Sequence, residues 1–335
     1  MRLTVGLGAV AAAAALAGCG GSDEASGPLT VYSGREEELV GPLFEQFTDE
    51  TGIEVEVRYG DSAELAATIA EEGSNSPADV FFAQDPGSLG AVDAQLAELP
   101  EDVLELVEER YRDADGRWVG TSGRTRVLVY STEAVPAEEL PASVLDLTEP
   151  EWKGRVGIAP TNASFQAFVT GMRLALGDDE TRAWLEAMKE NGARTYEKNT
   201  PIVEAVAAGE IDVGLVNHYY LALVKAEQPD APIANHLFEP GDAGNLVSVA
   251  GAGVLESTDQ DADAEAFVEF LLIDDAQQFY VDEAEEAEYP LVEGVEPSAG
   301  LVPLDEIDGP DVELTSFGAE LKATVELLRE TGWLS

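Results

Sequence analysis

The chain has one cysteine and two histidines in 335 residues. A lone thiol cannot close an intrachain disulfide or furnish a cysteine-rich zinc site. With so few histidines, the commonest acid–base group is scarce. There is no G-x-S-x-G elbow, no H-E-x-x-H and no P-loop. A secreted enzyme therefore ranks last among the functions considered. Basic residues are the other shortage: 18 Lys and Arg stand against 67 Asp and Glu, a formal net charge of −49. Such a field repels nucleic acid and anionic lipid surfaces. The acids are spread along nearly every segment rather than clustered, which fits a halophilic habitat. There, screening shortens repulsion to ~3 Å at 1 M salt.

What is present starts with an apolar, alanine-rich run over residues 3–18, after Arg2. It is short for a membrane span and reads as a signal peptide over 1–18. Cys19 closes it, and a flexible polar linker reaches to residue 28. This arrangement resembles a bacterial lipoprotein signal, so Cys19 is expected to be lipidated and to anchor the chain to the outer face of the cell membrane.

From Leu29 the rhythm is β-α-β-α-β. Leu29–Gly34 reads as a strand and turn, and Arg35–Thr51 as a helix with Leu39, Val40, Leu43, Phe44 and Phe47 on one face. Ile53–Tyr59 alternates as a strand; a helix near 63–72 and the apolar strand 78–83 follow. Such a run argues for an α/β fold with a parallel, helix-covered sheet, whose post-strand loops at 33–37 and 83–87 face one crevice. Asp113–Gly116 reads as a hairpin turn, and 122–130 as a stretch ending in a strand that crosses to a second lobe. In that lobe, helices are expected from 163 to 176, 178 to 191 and 200 to 208. Gly244–Val254 reads as a returning strand, 265–287 as one helix capped by the acids at 259–263, and 316–331 as the last helix.

Residues Ile211–Val216 read as a short buried strand, and Leu221 onward as helix. Tyr219 and Tyr220 then sit at the strand-to-helix corner, where α/β proteins present ligand groups. One phenol in the core and one on the surface would be the ordinary use of such a pair. A phenol titrates near ~10 in water and becomes an anion at neutral pH only beside strong positive charge. Fe(III) is a small hard cation that prefers anionic oxygen donors. Two phenolates on one corner would make half of a ferric site.

The motifs Leu29–Gly34, Ser76–Phe82, Ser122–Tyr130, Trp152–Gly157, Asn217–Tyr220 and Glu288–Leu291, in this order, resemble the periplasmic ferric-ion-binding proteins of iron ABC transporters, bacterial relatives in function of transferrin. The resemblance covers essentially the whole chain after the linker. It implies a two-lobed periplasmic-binding-protein type II fold with hinge-crossing strands. The lobes are expected as 29–125 plus 249–299 and 126–248 plus 300–335, in a monomer that delivers ferric ion to a membrane permease. It also implies Tyr219 and Tyr220 as metal ligands. Glu36 stands where some members have a metal-binding histidine, and Gln84 where they have a glutamate, with Asp85 as an alternative ligand. A synergistic anion, carbonate or phosphate, would be held by Arg124, Arg126, the helix start Asn162–Ala163–Ser164, Asn199 and Asn217. An arginine pair at a helix N-terminus suits an anion on physical grounds too. His218 is expected behind the site and His236 in a loop. Capture of thiamine, a polyamine or an oxyanion by the same fold stays open.

Overall fold

The computed structural model describes residues 27–282 and 287–335. The signal segment and Cys19 lie outside the described residues.

The first elements follow the expected rhythm. They are β1 (Leu29–Ser33), α1 (Glu37–Thr51), β2 (Val55–Tyr59), α2 (Ser62–Glu72), β3 (Val80–Ala83) and α3 (Pro86–Ala91). α1 buries Val40, Leu43, Phe44 and Phe47, and Gly52 ends it in the left-handed conformation at φ 78°. A short α4 (Glu101–Leu104) leads to the turn at Asp113, whose Oδ2 accepts from the backbone N–H of Asp115 at 3.0 Å and of Arg117 at 3.2 Å. Then comes β4 (Val119–Ser131), a single 13-residue strand that includes the whole 122–130 stretch.

β4 changes partners along its length. Residues 119–125 pair with β9 (Val247–Val254), and residues 126–130 pair with β7 (Val213–Asn217), both antiparallel. The strand order is β2-β1-β3-β9-β4-β7-β5-β6, with β5 at Val156–Ile158, β6 at Arg194–Thr195, and β8 (Ile233–His236) paired to β4. One strand thus runs from one half of the sheet to the other, which is the two-lobed arrangement with a hinge strand.

The helices beyond β4 are α5 (Ala163–Leu176), α6 (Asp178–Glu190), α7 (Asn199–Ala207), α8 (Tyr220–Glu227), α9 (Asp261–Phe270), α10 (Asp274–Asp282) and α11 (Phe317–Glu330). α7 lies directly on β7 because Gly214 has no side chain: a Cβ there would stand 2.2 Å from Ile202 Cγ2. α11 packs against both α3 and α5. Arg173 ties α5 to α11 by donating to the Glu320 carbonyl at 3.0 Å and to Thr324 Oγ1 at 2.9 Å.

Three expectations need correction. The single helix over 265–287 is two, because the chain turns at Leu271–Ile273 and restarts with Asp274 and Asp275 in a new first turn. Its residues 283–286 lie outside the described residues. The acids at 259–263 do not cap it: Gln260 occupies the N-cap and makes no side-chain capping bond to the helix, while Asp261 and Asp263 complement the helix dipole from the first turn. His236 ends β8 rather than lying in a loop, with its Nε2 2.8 Å from the Pro141 carbonyl. Among the described residues, no helix is long and apolar enough to cross a membrane.

Candidate metal and anion site

β7 ends at Asn217 and α8 begins at Tyr220, so the tyrosine corner forms where expected. The two phenol rings stack 4.5 Å apart between centroids, tilted by 39°. Tyr219 is buried and Tyr220 half-buried. Asn217 Nδ2 donates to Tyr219 Oη at 3.3 Å. The Arg124 guanidinium lies 5.9 Å from the Tyr219 ring centroid. Among the described residues there is no cluster of three His, Cys, Asp or Glu able to hold a metal.

His218 is buried behind the corner. Its Nδ1 accepts from the Thr125 N–H at 3.3 Å, so Nε2 carries the proton and donates to the Ala287 carbonyl at 3.0 Å. Burial pushes its pKa down to about 4, which keeps the ring neutral. Both nitrogens are engaged, and the ring stacks on Tyr289 at 4.6 Å.

The anion candidates converge. Asn162 caps α5 by accepting from the Ser164 N–H at 3.0 Å, and Ala163 is the first helical residue. Asn199, at the start of α7, donates to Ser164 Oγ at 3.1 Å and to Asn162 Oδ1 at 3.3 Å. Arg126 donates from Nη1 to Ser164 Oγ and to Asn217 Oδ1, both at 3.3 Å, and from Nη2 to the Leu215 carbonyl at 2.6 Å. Burial draws its pKa down to about 9, against the upward pull of the Tyr220 and Tyr219 phenols, so it stays charged at neutral pH. Arg124, Arg126, Ser164, Asn217, Gln84 and Ser248 all line one small cavity of about 10 Å³. The buried Nε atoms of Arg124 and Arg126, and Asn199 Oδ1, have no hydrogen-bond partner among the described residues. The two orphaned arginine N–H donors call for a ligand oxygen.

The first- and second-loop candidates are placed differently. Glu36 is exposed at the N-cap of α1, where it makes no cap bond, and pairs with Lys198 at 3.3 Å. Gln84 borders the cavity, but its backbone is what is engaged: the carbonyl accepts from Arg124 Nη1 and the N–H donates to Ser62 Oγ at 2.9 Å. Asp85 is buried as the N-cap of α3, accepting from the Ser88 N–H at 2.9 Å and Ser88 Oγ at 2.7 Å. Burial raises its pKa, with the Ser88 bonds opposing.

Sequence reasoning missed Lys198, Arg35 and the role of Glu288. Glu288 is fully buried, takes Arg35 Nη1 at 3.1 Å and takes Arg124 Nη2 at 2.7 Å. The Glu-Tyr-Pro motif and the adjacency of Arg35 to Glu36 were the available signals.

Residues 67–300 match the family of bacterial extracellular solute-binding proteins. An Fe(3+)-binding periplasmic protein of Serratia marcescens is 36% identical over 310 residues, which cover 91% of this chain and 90% of that protein. The iron-bound HitA structure from Pseudomonas aeruginosa is 34% identical, covers 91% of this chain and 99% of its own, and superposes with a TM-score of 0.86. The Trichodesmium FutA structure, in complex with iron and citrate, is 28% identical, covers 92% and 100%, and gives a TM-score of 0.80. The chain belongs to the bacterial extracellular solute-binding protein family, among its periplasmic ferric-ion-binding proteins.

Proposed function

We propose that this protein captures ferric iron outside the cytoplasm, between two lobes, and delivers it to an ABC permease. The carrying observation is the stacked Tyr219–Tyr220 pair, joined through Asn217 to Arg126 and Ser164 at the start of α5, with the Arg124 guanidinium 5.9 Å from the Tyr219 ring centroid. Neighbouring guanidinium charge and the Asn217 N–H both favour a phenolate, and a trivalent ion completes the shift. The lobes divide as 29–125 plus 249–299 and 126–248 plus 300–335, with β4 as the hinge. A synergistic anion, carbonate or phosphate in chemistry, binds at Arg126, Arg124, Asn199, Asn217 and the Asn162–Ser164 helix start, and fills iron positions the protein leaves open. The Trichodesmium structure, which is in complex with both iron and citrate, supports an anion accompanying the iron. Cys19 carries a lipid anchor, and the protein works as a monomeric binding protein, not an enzyme.

An oxyanion-only reading has one observation in its favour, the arginine-lined cavity. It gives the paired phenols no task. The test is a Tyr219→Phe, Tyr220→Phe variant titrated with Fe(III) after metal stripping. Phenolate-to-iron charge transfer should colour the wild type and vanish in the variant. A visible band that survives the double change rules out the tyrosine assignment, and a colourless wild type that still binds phosphate supports the oxyanion reading.

A further inference from the structure

Among the described residues, Glu288 is the acidic side chain shut away most completely, with no exposed surface. Burying a carboxylate is costly unless it is paired, and removing its partners would leave a severe penalty. Here two arginines from distant segments meet it. Arg35 Nη1 lies 3.1 Å from each of its oxygens, and Arg124 Nη2 lies 2.7 Å from Oε1. Desolvation alone would raise its pKa, but Arg124 and then Arg35 outweigh this and hold it at about 2, so it is a carboxylate at neutral pH.

The neighbours of Glu288 fix where it sits. Tyr289 exchanges backbone bonds with Gly123, at 2.8 and 2.9 Å, and Ala287 receives His218 Nε2. The carboxylate is therefore a fixed negative charge on Arg124 Nη2, while Arg124 Nη1 donates to the carbonyl of Gln84 at the cavity wall. Arg124 is clamped at two nitrogens, while its buried Nε has no hydrogen-bond partner among the described residues.

We infer that Glu288 is a positioning and specificity residue: it holds Arg124 at the cavity and, by compensating its charge, biases the site toward singly charged over doubly charged anions. The inference rests on the proposal that a small anion accompanies ferric iron. The physics is additive in charge. A fixed negative charge repels a dianion about twice as strongly as a monoanion at the same place. Removing that charge should help phosphate, mostly dianionic at pH 8, more than bicarbonate.

The experiment measures iron affinity at pH 8 by chelator competition, with bicarbonate or with phosphate, while following the visible charge-transfer band. In Glu288→Gln the phosphate-to-bicarbonate affinity ratio should rise on the order of tenfold, with the band retained. Glu288→Asp keeps the charge and should leave the ratio within about twofold of wild type, since the interaction follows charge. Arg35→Met removes positive charge from the same network and should move the ratio the other way; it carries the test if Glu288→Gln fails to fold. An unchanged ratio in a folded, coloured Glu288→Gln protein overturns the inference, as does an equal shift in Glu288→Asp, which would trace the effect to packing. A wild type with no band overturns the iron reading itself, so the two failures are distinguishable.

Discussion

Asn217 joins the two halves of the candidate site. Its Nδ2 donates to the Tyr219 hydroxyl and its Oδ1 accepts from Arg126 Nη1, each at 3.3 Å. Its position as the last residue of β7, paired with Arg126 across the sheet, fixes the amide between them. A phenol that receives a hydrogen bond is stabilised in its anionic form, and an amide polarised by a guanidinium is a better donor. Asn217→Leu keeps the approximate volume but loses both bonds. A neutral hydrogen bond contributes about 1 kcal/mol net. Iron affinity should therefore fall on the order of fivefold to tenfold, the equivalent of that loss. Asn217→Asp should cost more, because an acceptor and a negative charge would then face the phenolate oxygen. Iron competition against a chelator checks both, and equal affinities in all three proteins would remove Asn217 from the site.

Much of this arrangement was legible in the sequence. Apolar periodicity located α1, α5, α6 and α11, and the corner at 217–220 followed from a buried strand running into a helical pattern. The parts that were not legible are long-range. Arg35 and Glu288 are separated by 253 positions, and Arg124 and Glu288 by 164, so only the fold brings these charges together. β8 escaped notice because Ile233–His236 is short and half polar. The break between α9 and α10 lacks glycine and proline, and Leu271, Leu272 and Ile273 continue the apolar pattern straight through it. The acidic pair Asp274–Asp275 was the remaining sign of a new N-terminus.

The contact of α11 with α3 gives a stability prediction. Gly318 crosses Gly90 so closely that a Cβ on Gly318 would stand 2.4 Å from the Gly90 backbone. Backbone cannot swing aside as a flexible side chain can. Gly318→Ala should force the helices apart at a cost of ~1–3 kcal/mol. Thermal unfolding should register this as a midpoint lowered by several degrees. An unchanged midpoint would mean that the crossing relaxes freely.

The charge of −49 sets a condition on folding. Self-repulsion among like charges opposes compaction, and salt screens it with a Debye length that falls from ~10 Å at 0.1 M to ~3 Å at 1 M. Among the described residues, the ion pairs with both partners exposed, such as Arg110–Glu108 and Arg182–Glu330, contribute little each, so their loss to screening is a small offset. The unfolding midpoint should rise as sodium chloride is increased from about 0.1 M to molar levels, the range over which screening changes most. A midpoint that stays flat or falls would show that something other than global repulsion limits stability.

The last prediction concerns Glu36, whose carboxylate is held by Lys198 at 3.3 Å. The pair links the loop before α1 to the residue just before α7, on opposite halves of the sheet. Both side chains are about two-thirds exposed, 65% for Glu36 and 69% for Lys198. An exposed pair of this kind contributes only ~0–1 kcal/mol and weakens with salt. Glu36 is thus free to exchange partners, unlike Asp85, which is committed to capping α3. If Glu36 serves as the carboxylate donor to iron, it must leave Lys198 to do so, and the ammonium competes with the metal for it. Lys198→Ala should then strengthen iron binding by up to about fivefold, the equivalent of a surface pair, whereas Glu36→Ala should weaken it. The gain from Lys198→Ala should disappear in the double variant, because it acts only through Glu36. Chelator competition on the two single variants and the double variant measures that coupling directly. A Lys198→Ala effect that persists without Glu36 would mean that Lys198 acts on the cleft by its charge alone, and Glu36 would lose its place among the metal ligands.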